Sequence, residues 1–258
     1  MDPIVIGLLV VLAMNMFMFP IAYKLQTDKL TDITYAMSFA TIAIYGFIYG
    51  SGGQSVPKFI LTFLILAWAV RLGFFLLIRV SKMGKDDRFD EIRTSPKRFF
   101  RFFLIQAVSS WIISLPFLYR LIDNPSESHN INQVLRIEWI GFGIAVVGLI
   151  IESVADSQKS KYKFSDGKGV FMGGLYQKIR YPNYLGEILF WIGIFIVSIH
   201  VLSGFRWISL ISPIVIILLL RFLSGIPIIE KSRHKKYGDD PSYLKYLKET
   251  KLLIPGIY

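Results

Sequence analysis

Long uninterrupted apolar runs dominate this chain, and they restrict it more than any motif does. Crossing a hydrocarbon core takes about 20 apolar residues in a helix. Seven stretches approach or reach that length, at roughly 3–23, 34–50, 57–80, 99–118, 137–155, 182–202 and 207–229. Charged residues make up only 18% of the 258 positions and the mean hydropathy is +0.52, both atypical of a soluble domain. Within lipid every backbone donor and acceptor must be satisfied internally, and runs without strict alternation favour helices over barrel strands. The expectation is an all-α integral membrane protein, a single seven-transmembrane helix bundle over 1–258. No internal repeat divides it. Met1-Asp2-Pro3 lacks a basic leader and no small-residue cleavage site follows, so the first run reads as a retained helix.

The chain contains no Cys, which excludes disulfide scaffolds, thiolate nucleophiles, zinc-cysteine sites and cysteine-held clusters. Lys and Arg number 29 against 18 Asp and Glu. On a soluble chain that excess would suggest nucleic acid; on a polytopic one its distribution decides. With the N-terminus outside, nearly all the cations fall in the inside connections: Lys24 and Lys29, Arg79 to Arg101, Lys159 to Arg180, and the tail. Only Lys58, Arg120, Arg136 and Arg206 are left outside, while Arg71 and Arg221 lie within spans. Positive charge beside helix ends is retained on the cytoplasmic side, so the C-terminus is expected in the cytoplasm, and no nucleic-acid partner is implied.

The inside segments 81–98, 156–181 and 230–258 carry most of the polar variety, so a functional site should open toward the cytoplasm. The sharpest signal is Gly173-Gly174-Leu175-Tyr176-Gln177-Lys178-Ile179-Arg180-Tyr181-Pro182-Asn183-Tyr184-Leu185-Gly186-Glu187. Proline suits the first helical position. Pro182 is therefore predicted to open the sixth span and to turn its unpaired N–H groups toward a basic loop, an anion site in outline. Asn183 and Tyr184 stand four and three residues before Glu187, on one side of the helix. Glu187 lies about 7 Å below the helix start, where a carboxylate needs a partner or a polar cavity and is by default a functional candidate. The structural alternatives are an ion pair with Arg180 or Arg221, or a protonated acid bonded to backbone. For Asn183 and Tyr184 the alternative is interhelical hydrogen bonding.

Glu152 and Asp156 form an i,i+4 acid pair where the fifth span runs out into Ser157-Gln158-Lys159-Ser160-Lys161-Tyr162-Lys163. Such a pair is mildly destabilising alone, which suggests ribose hydroxyls or neighbouring cations as partners. In the third span Trp68 and Arg71 are three apart; Arg71 needs an acid or a cavity, whereas Arg79 can snorkel. Asp86-Asp87-Arg88-Phe89 follows. The tail Glu230-Lys231-Ser232-Arg233-His234-Lys235-Lys236-Tyr237, with Tyr243 and Tyr246 beyond, suits either a phosphate-bearing ligand or a basic membrane-surface helix. No dinucleotide-binding or phosphate-loop glycine motif occurs. His129, His200 and His234 are too dispersed to suggest a metal site.

Ala155-Asp156-Ser157-Gln158, Gly174-Leu175-Tyr176, Arg180 through Glu187, Trp191, Ser224-Gly225-Ile226-Pro227 and Leu253-Ile254-Pro255 together resemble the steroid 5-alpha-reductase family, in particular its bacterial branch. Trp68, Arg71 and Leu72, with Asp87-Arg88-Phe89, extend the likeness into the third span. The resemblance implies a multi-pass protein of the bacterial inner membrane that holds NADPH from the cytosolic side. It implies reduction of a carbon-carbon double bond conjugated to a ketone, in a lipid or steroid-like substrate entering from the bilayer. Asp156 and Asn183 then match cofactor contacts, and Glu187 an acid beneath the nicotinamide. The chain departs from the bacterial branch at Tyr181, where His is usual. It departs from the steroid enzymes at Glu152 in place of Asn, at Lys163 near an expected Arg, and at Glu230 to His234 in place of a His-rich cluster.

On this reading the cofactor-binding half lies at about 137–258, and Gln158, Lys161, Lys163, Arg180, Glu230, Arg233 and Tyr243 join Asp156 and Asn183 around the cofactor. Glu187, Tyr184 and Tyr176 orient the reacting groups or donate the proton, and Trp68 and Arg71 face the substrate; no metal is expected. One rival is an S-adenosylmethionine-dependent membrane methyltransferase resembling the isoprenylcysteine carboxyl methyltransferases, which share a Pro-x-Tyr-x-Gly helix start. The other is a channel, transporter or scaffold, for which Asn15 and Glu138 are the candidates along a polar path.

Overall fold

The computed structural model describes residues 1–27, 29–50, 55–83, 94–123, 131–165, 167, 169–223 and 225–254. Of the positions named above, Asp86, Asp87, Arg88, Phe89, His129, Ser224 and Pro255 lie outside the described residues, as does the side chain of Arg79. The described chain is helical throughout: α1 (Pro3–Lys24), α2 (Lys29–Tyr49), α3 (Val56–Met83), α4 (Pro96–Ile122), α5 (Ile131–Phe164), α6 (Pro182–Ser198), α7 (Ile211–Leu218), α8 (Ile226–Tyr237) and α9 (Pro241–Glu249). Among the described residues the extended pairing is a lone parallel bridge between Ile179 and Lys251.

Six stretches are long and apolar enough to cross a membrane: Pro3–Lys24, Val56–Phe75, Pro96–Ile122, Val134–Phe164, Pro182–Val201 and Gly204–Tyr237. The protein is an integral, multi-pass membrane protein. Six stretches rather than the expected seven meet this measure. The shortest expected span does form a helix, α2, but Thr31, Asp32, Thr34, Ser38 and Thr41 dilute its apolar content, and Thr31, Thr34 and Ser38 are fully buried. The last expected span is segmented. A 3-10 turn (Gly204–Leu210) leads into α7, a π-helical turn (Leu219–Leu223) follows, and α8 starts after Gly225. At Gly225 a side chain would strike the carbonyl of Leu220, and Pro227 sits at the start of α8, where its missing N–H is tolerated.

Packing groups the chain into two compact units, Met1–Trp139 with Ile194–Ser212, and Ile140–Gly193 with Pro213–Tyr258. In the first, α2 packs on α1, α3 and α4, and α1 on α4. Phe19 of α1 makes edge contacts with Phe99 and Phe103 of α4. Interhelical polar groups are satisfied in pairs: Asn15 donates to Ser38 Oγ at 3.2 Å and accepts from Gln106 at 3.1 Å, joining α1, α2 and α4. That bonding makes Asn15 a clamp inside the bundle. Lys58 and Arg120, counted above among the outside charges, are each only 2% exposed. Arg120 Nε donates to Glu138 Oε1 at 2.6 Å, and His200 Nε2 lies 3.3 Å from the same oxygen. Removing either partner of such a buried pair would strand the other charge.

In the second unit α5 and α6 meet backbone to backbone. A Cβ on Gly186 would lie 2.5 Å from the Glu152 nitrogen, one on Gly193 would lie 2.5 Å from the Ala145 nitrogen, and one on Gly148 would lie 2.6 Å from the Gly186 oxygen. Lipid offers apolar side chains no advantage in helix association, so close approach through small residues supplies the attraction instead. At about 1.5 Å per residue, the 34 residues of α5 run about 51 Å, well past a hydrocarbon core of about 30 Å, so one end carries its polar residues into water. Gly193→Ala is expected to lower the detergent melting temperature, at a cost of about 1–3 kcal/mol for overpacking. Gly143→Ala, whose Cβ meets nothing within 4 Å, should not. Equal melting of the two variants would refute the seam.

Candidate functional site

Every residue assigned above to cofactor or catalysis lies in the second unit, whereas Trp68 and Arg71 lie in the first. Trp68 is wholly buried with its ring edge-on to Phe39, and Arg71 is half-buried on α3. A cavity of about 440 Å³ opens in the first unit between Asp2, Tyr49, Tyr119, Asp123, Phe205 and Arg206, and none of the assigned residues lines it.

The segment ahead of α6 is held from three sides. Gly174 adopts φ +56, and a side chain there would strike the Gln158 carboxamide. With that position bare, Gln158 on α5 accepts the Leu175 N–H at 3.0 Å and so docks the 3-10 turn Gly174–Gln177. That turn buries Tyr176, whose carbonyl accepts the Tyr246 hydroxyl of α9 at 2.9 Å. Beyond α9 the chain runs alongside, and the Lys251 and Leu252 carbonyls take the N–H groups of Arg180 (2.8 Å) and Tyr181 (3.2 Å). Pro182 then starts α6, whose ladder begins with Leu185 donating to the Tyr181 carbonyl at 3.1 Å. The predicted start is correct. The N–H groups of Arg180 and Tyr181, just ahead of it, are committed to the tail.

Five tyrosines, two arginines and two acids gather here. The Tyr181 ring stacks on Tyr184 with centroids 5.5 Å apart, and the Arg233 guanidinium lies 5.3 Å from the Tyr181 centroid. The Tyr181 hydroxyl donates to Glu230 at 2.6 Å, and Arg180 Nη1 approaches both Glu230 oxygens at 3.4 and 3.5 Å. Tyr176 and Tyr243 are each 1% exposed, yet their hydroxyls, like Arg180 Nε, have no hydrogen-bond partner among the described residues. Asp156 is buried close enough to Tyr176 to act on its ionisation, while Asn183, Tyr184 and Glu187 are half-buried on α6. Lys161 and Lys163 are exposed at the end of α5.

Burial raises the phenol of Tyr176 well above its ordinary range, and the Asp156 carboxylate adds to this. Tyr181 is raised by burial and by its bond to Glu230, Tyr243 by burial, and Tyr246 is pushed up to about 12 chiefly by burial. These hydroxyls are therefore proton-bearing donors throughout the physiological range, and two of them have capacity to spare.

Sequence reasoning named Tyr246 beside Tyr243 in the tail but gave no ligand role to Tyr181 or to the tail carbonyls. The i,i+3 spacing of Tyr243 and Tyr246 was the available signal, because it sets both on one buried face of α9 while Leu244, Lys245, Lys248 and Glu249 are exposed.

The chain belongs to a family described as protein of unknown function, DUF1295, which it matches over residues 18–250. No curated protein and no solved structure matches it.

The raised phenols set a pH limit. Above about pH 10 an unfolded chain releases phenolic protons that the folded one retains, so stability is intact below that pH and falls as pH rises through it. Absorbance at 295 nm should show late phenolate formation coinciding with loss of helical circular dichroism. Complete ionisation near pH 10 with helices intact would contradict the buried cluster.

Proposed function

We propose that the protein is a membrane-embedded, NADPH-dependent reductase of a conjugated carbon-carbon double bond in a lipid or steroid-like substrate, with its site facing the cytoplasm. The observation that carries this reading is the cluster ahead of α6, where two buried phenols and a buried guanidinium nitrogen lack hydrogen-bond partners among the described residues, beside Arg233 and Asp156. Those donors suit a ligand rich in oxyanions and hydroxyls. The resemblance to steroid 5-alpha-reductases supplies the choice of NADPH, and the concentration of Lys and Arg in the connections beside this cluster supports the cytoplasmic orientation. The bacterial inner membrane follows from that same resemblance.

NADPH, when bound, supplies a hydride for the beta carbon of an enone. Arg180 and Arg233 would hold its phosphates, with Lys161 and Lys163 adding to the local positive field. Asp156 and Gln158 would meet ribose hydroxyls, and Asn183 with Glu187 would orient the carboxamide. Tyr184 or Tyr176 would donate a hydrogen bond, then a proton, to the substrate oxygen as it gains charge. A phenol held protonated in a dry site is a stronger donor there than in water.

Purified full-length protein in detergent should bind NADPH saturably and oxidise it at 340 nm in the presence of an enone lipid. Asn183→Ala and Glu187→Gln should each weaken binding roughly tenfold or more, the loss expected for a hydrogen bond to a polar ligand. Variants that bind as wild type does would misplace the pocket. Preferential binding of S-adenosylmethionine would replace the reductase with the methyltransferase.

A further inference from the structure

We propose that Glu230 is a built-in occupant of an anion subsite formed by Arg180 and Arg233, and that a phosphate or carboxylate of the incoming ligand takes its place. The proposal builds on the ligand-site reading above and adds an exchange step to it.

The contact between Arg180 and Glu230 is long. A well-made arginine-carboxylate pair closes to about 2.7–2.9 Å through two nitrogens. Here Nη1 alone spans both oxygens, at 3.4 and 3.5 Å, and the buried Nε has no partner among the described residues. Much of the guanidinium's bonding capacity is unused. Arg233 lies one turn after Glu230 on α8 and rests on the Tyr181 ring at 5.3 Å, making no ion pair among the described residues. Arg180 alone pairs with this carboxylate while Arg233 stands over the ring of the tyrosine that bonds it, and a phosphate would match the two cations better in charge and in the number of oxygens.

Glu230 also has somewhere to go. Its 2.6 Å bond from the Tyr181 hydroxyl is the tightest it makes, so losing Arg180 would not strand the carboxylate. The pair is reachable, with side chains 18% exposed for Arg180 and 27% for Glu230. The phenols of Tyr176 and Tyr243, without hydrogen-bond partners among the described residues, lie within electrostatic reach of Arg233. In the resting protein Glu230 therefore competes with the ligand, which sets a threshold affinity and screens weak anions.

The test is calorimetric titration of full-length wild type, Glu230→Gln and Tyr181→Phe in detergent with inorganic pyrophosphate, NADPH and S-adenosylmethionine. Exchange predicts that Glu230→Gln binds the anion roughly tenfold more tightly. It predicts that Tyr181→Phe binds more weakly, because the displaced carboxylate loses its second support. These opposite signs separate exchange from general damage to the fold. If Glu230→Gln tightens pyrophosphate while no protein binds NADPH, the subsite stands and the NADPH assignment falls. Tightening of S-adenosylmethionine alone assigns the exchange to a carboxylate and likewise ends the NADPH assignment. Binding by Glu230→Gln that is unchanged or weaker overturns the exchange, and wild-type affinity for NADPH then still decides the cofactor.

Discussion

The contact between α5 and α6 is the constraint on which the candidate site depends. Because Gly148, Gly186 and Gly193 carry no side chains, the two backbones touch, and Gly186 lies against the start of the last two turns before the polar end of α5. Glu152, Asp156 and Gln158 are thereby set at a fixed distance from the first turns of α6. A methyl group in the seam would move the α6 residues Asn183, Tyr184 and Glu187 away from the α5 residues together. The glycine of the Pro-Asn-Tyr-x-Gly-Glu string is thus a packing residue whose effect on chemistry runs through position.

The second determinant is the return of the chain end. α9 buries Tyr243 and Tyr246, and the residues after it bond the backbone of Arg180 and Tyr181. Asp240 caps α9 through the Ser242 N–H at 2.9 Å, so the turn into this helix is itself specified locally. The loop ahead of α6, in which Gly173 and Gly174 are adjacent and which would otherwise sample many conformations, is closed between Gln158 on one side and Lys251 and Leu252 on the other. Arg180, which it carries, is consequently presented in a defined arrangement.

What was legible in the sequence was local. Runs of apolar residues placed the helices, proline marked the start of α6, and i,i+4 spacing put Asn183 and Glu187 on one face. The second expected span forms α2 yet falls short in apolar content, because that helix buries Thr31, Thr34 and Ser38 among other helices, and polar residues satisfied by neighbours look no different in sequence from polar residues in water. The last expected span was read as one helix because hydropathy is blind to the backbone effects of Gly204, at φ +51, and Gly225. The ion pair of Arg120 with Glu138, the approach of His200 to it, and the bond from Tyr246 to Tyr176 join residues 18 to 70 positions apart. No periodicity reports such a pairing. Glu230 was assigned to the ligand from its place in the cationic, aromatic tail, and only the geometry revealed its bond to Tyr181.

Hydrogen-deuterium exchange of the detergent-solubilised protein, with and without saturating NADPH, tests the central claim most directly. The account predicts added protection confined to peptides covering 152–163, 173–187 and 230–252, with S-adenosylmethionine producing no such change. Protection elsewhere, none at all, or the same pattern with S-adenosylmethionine alone would contradict it.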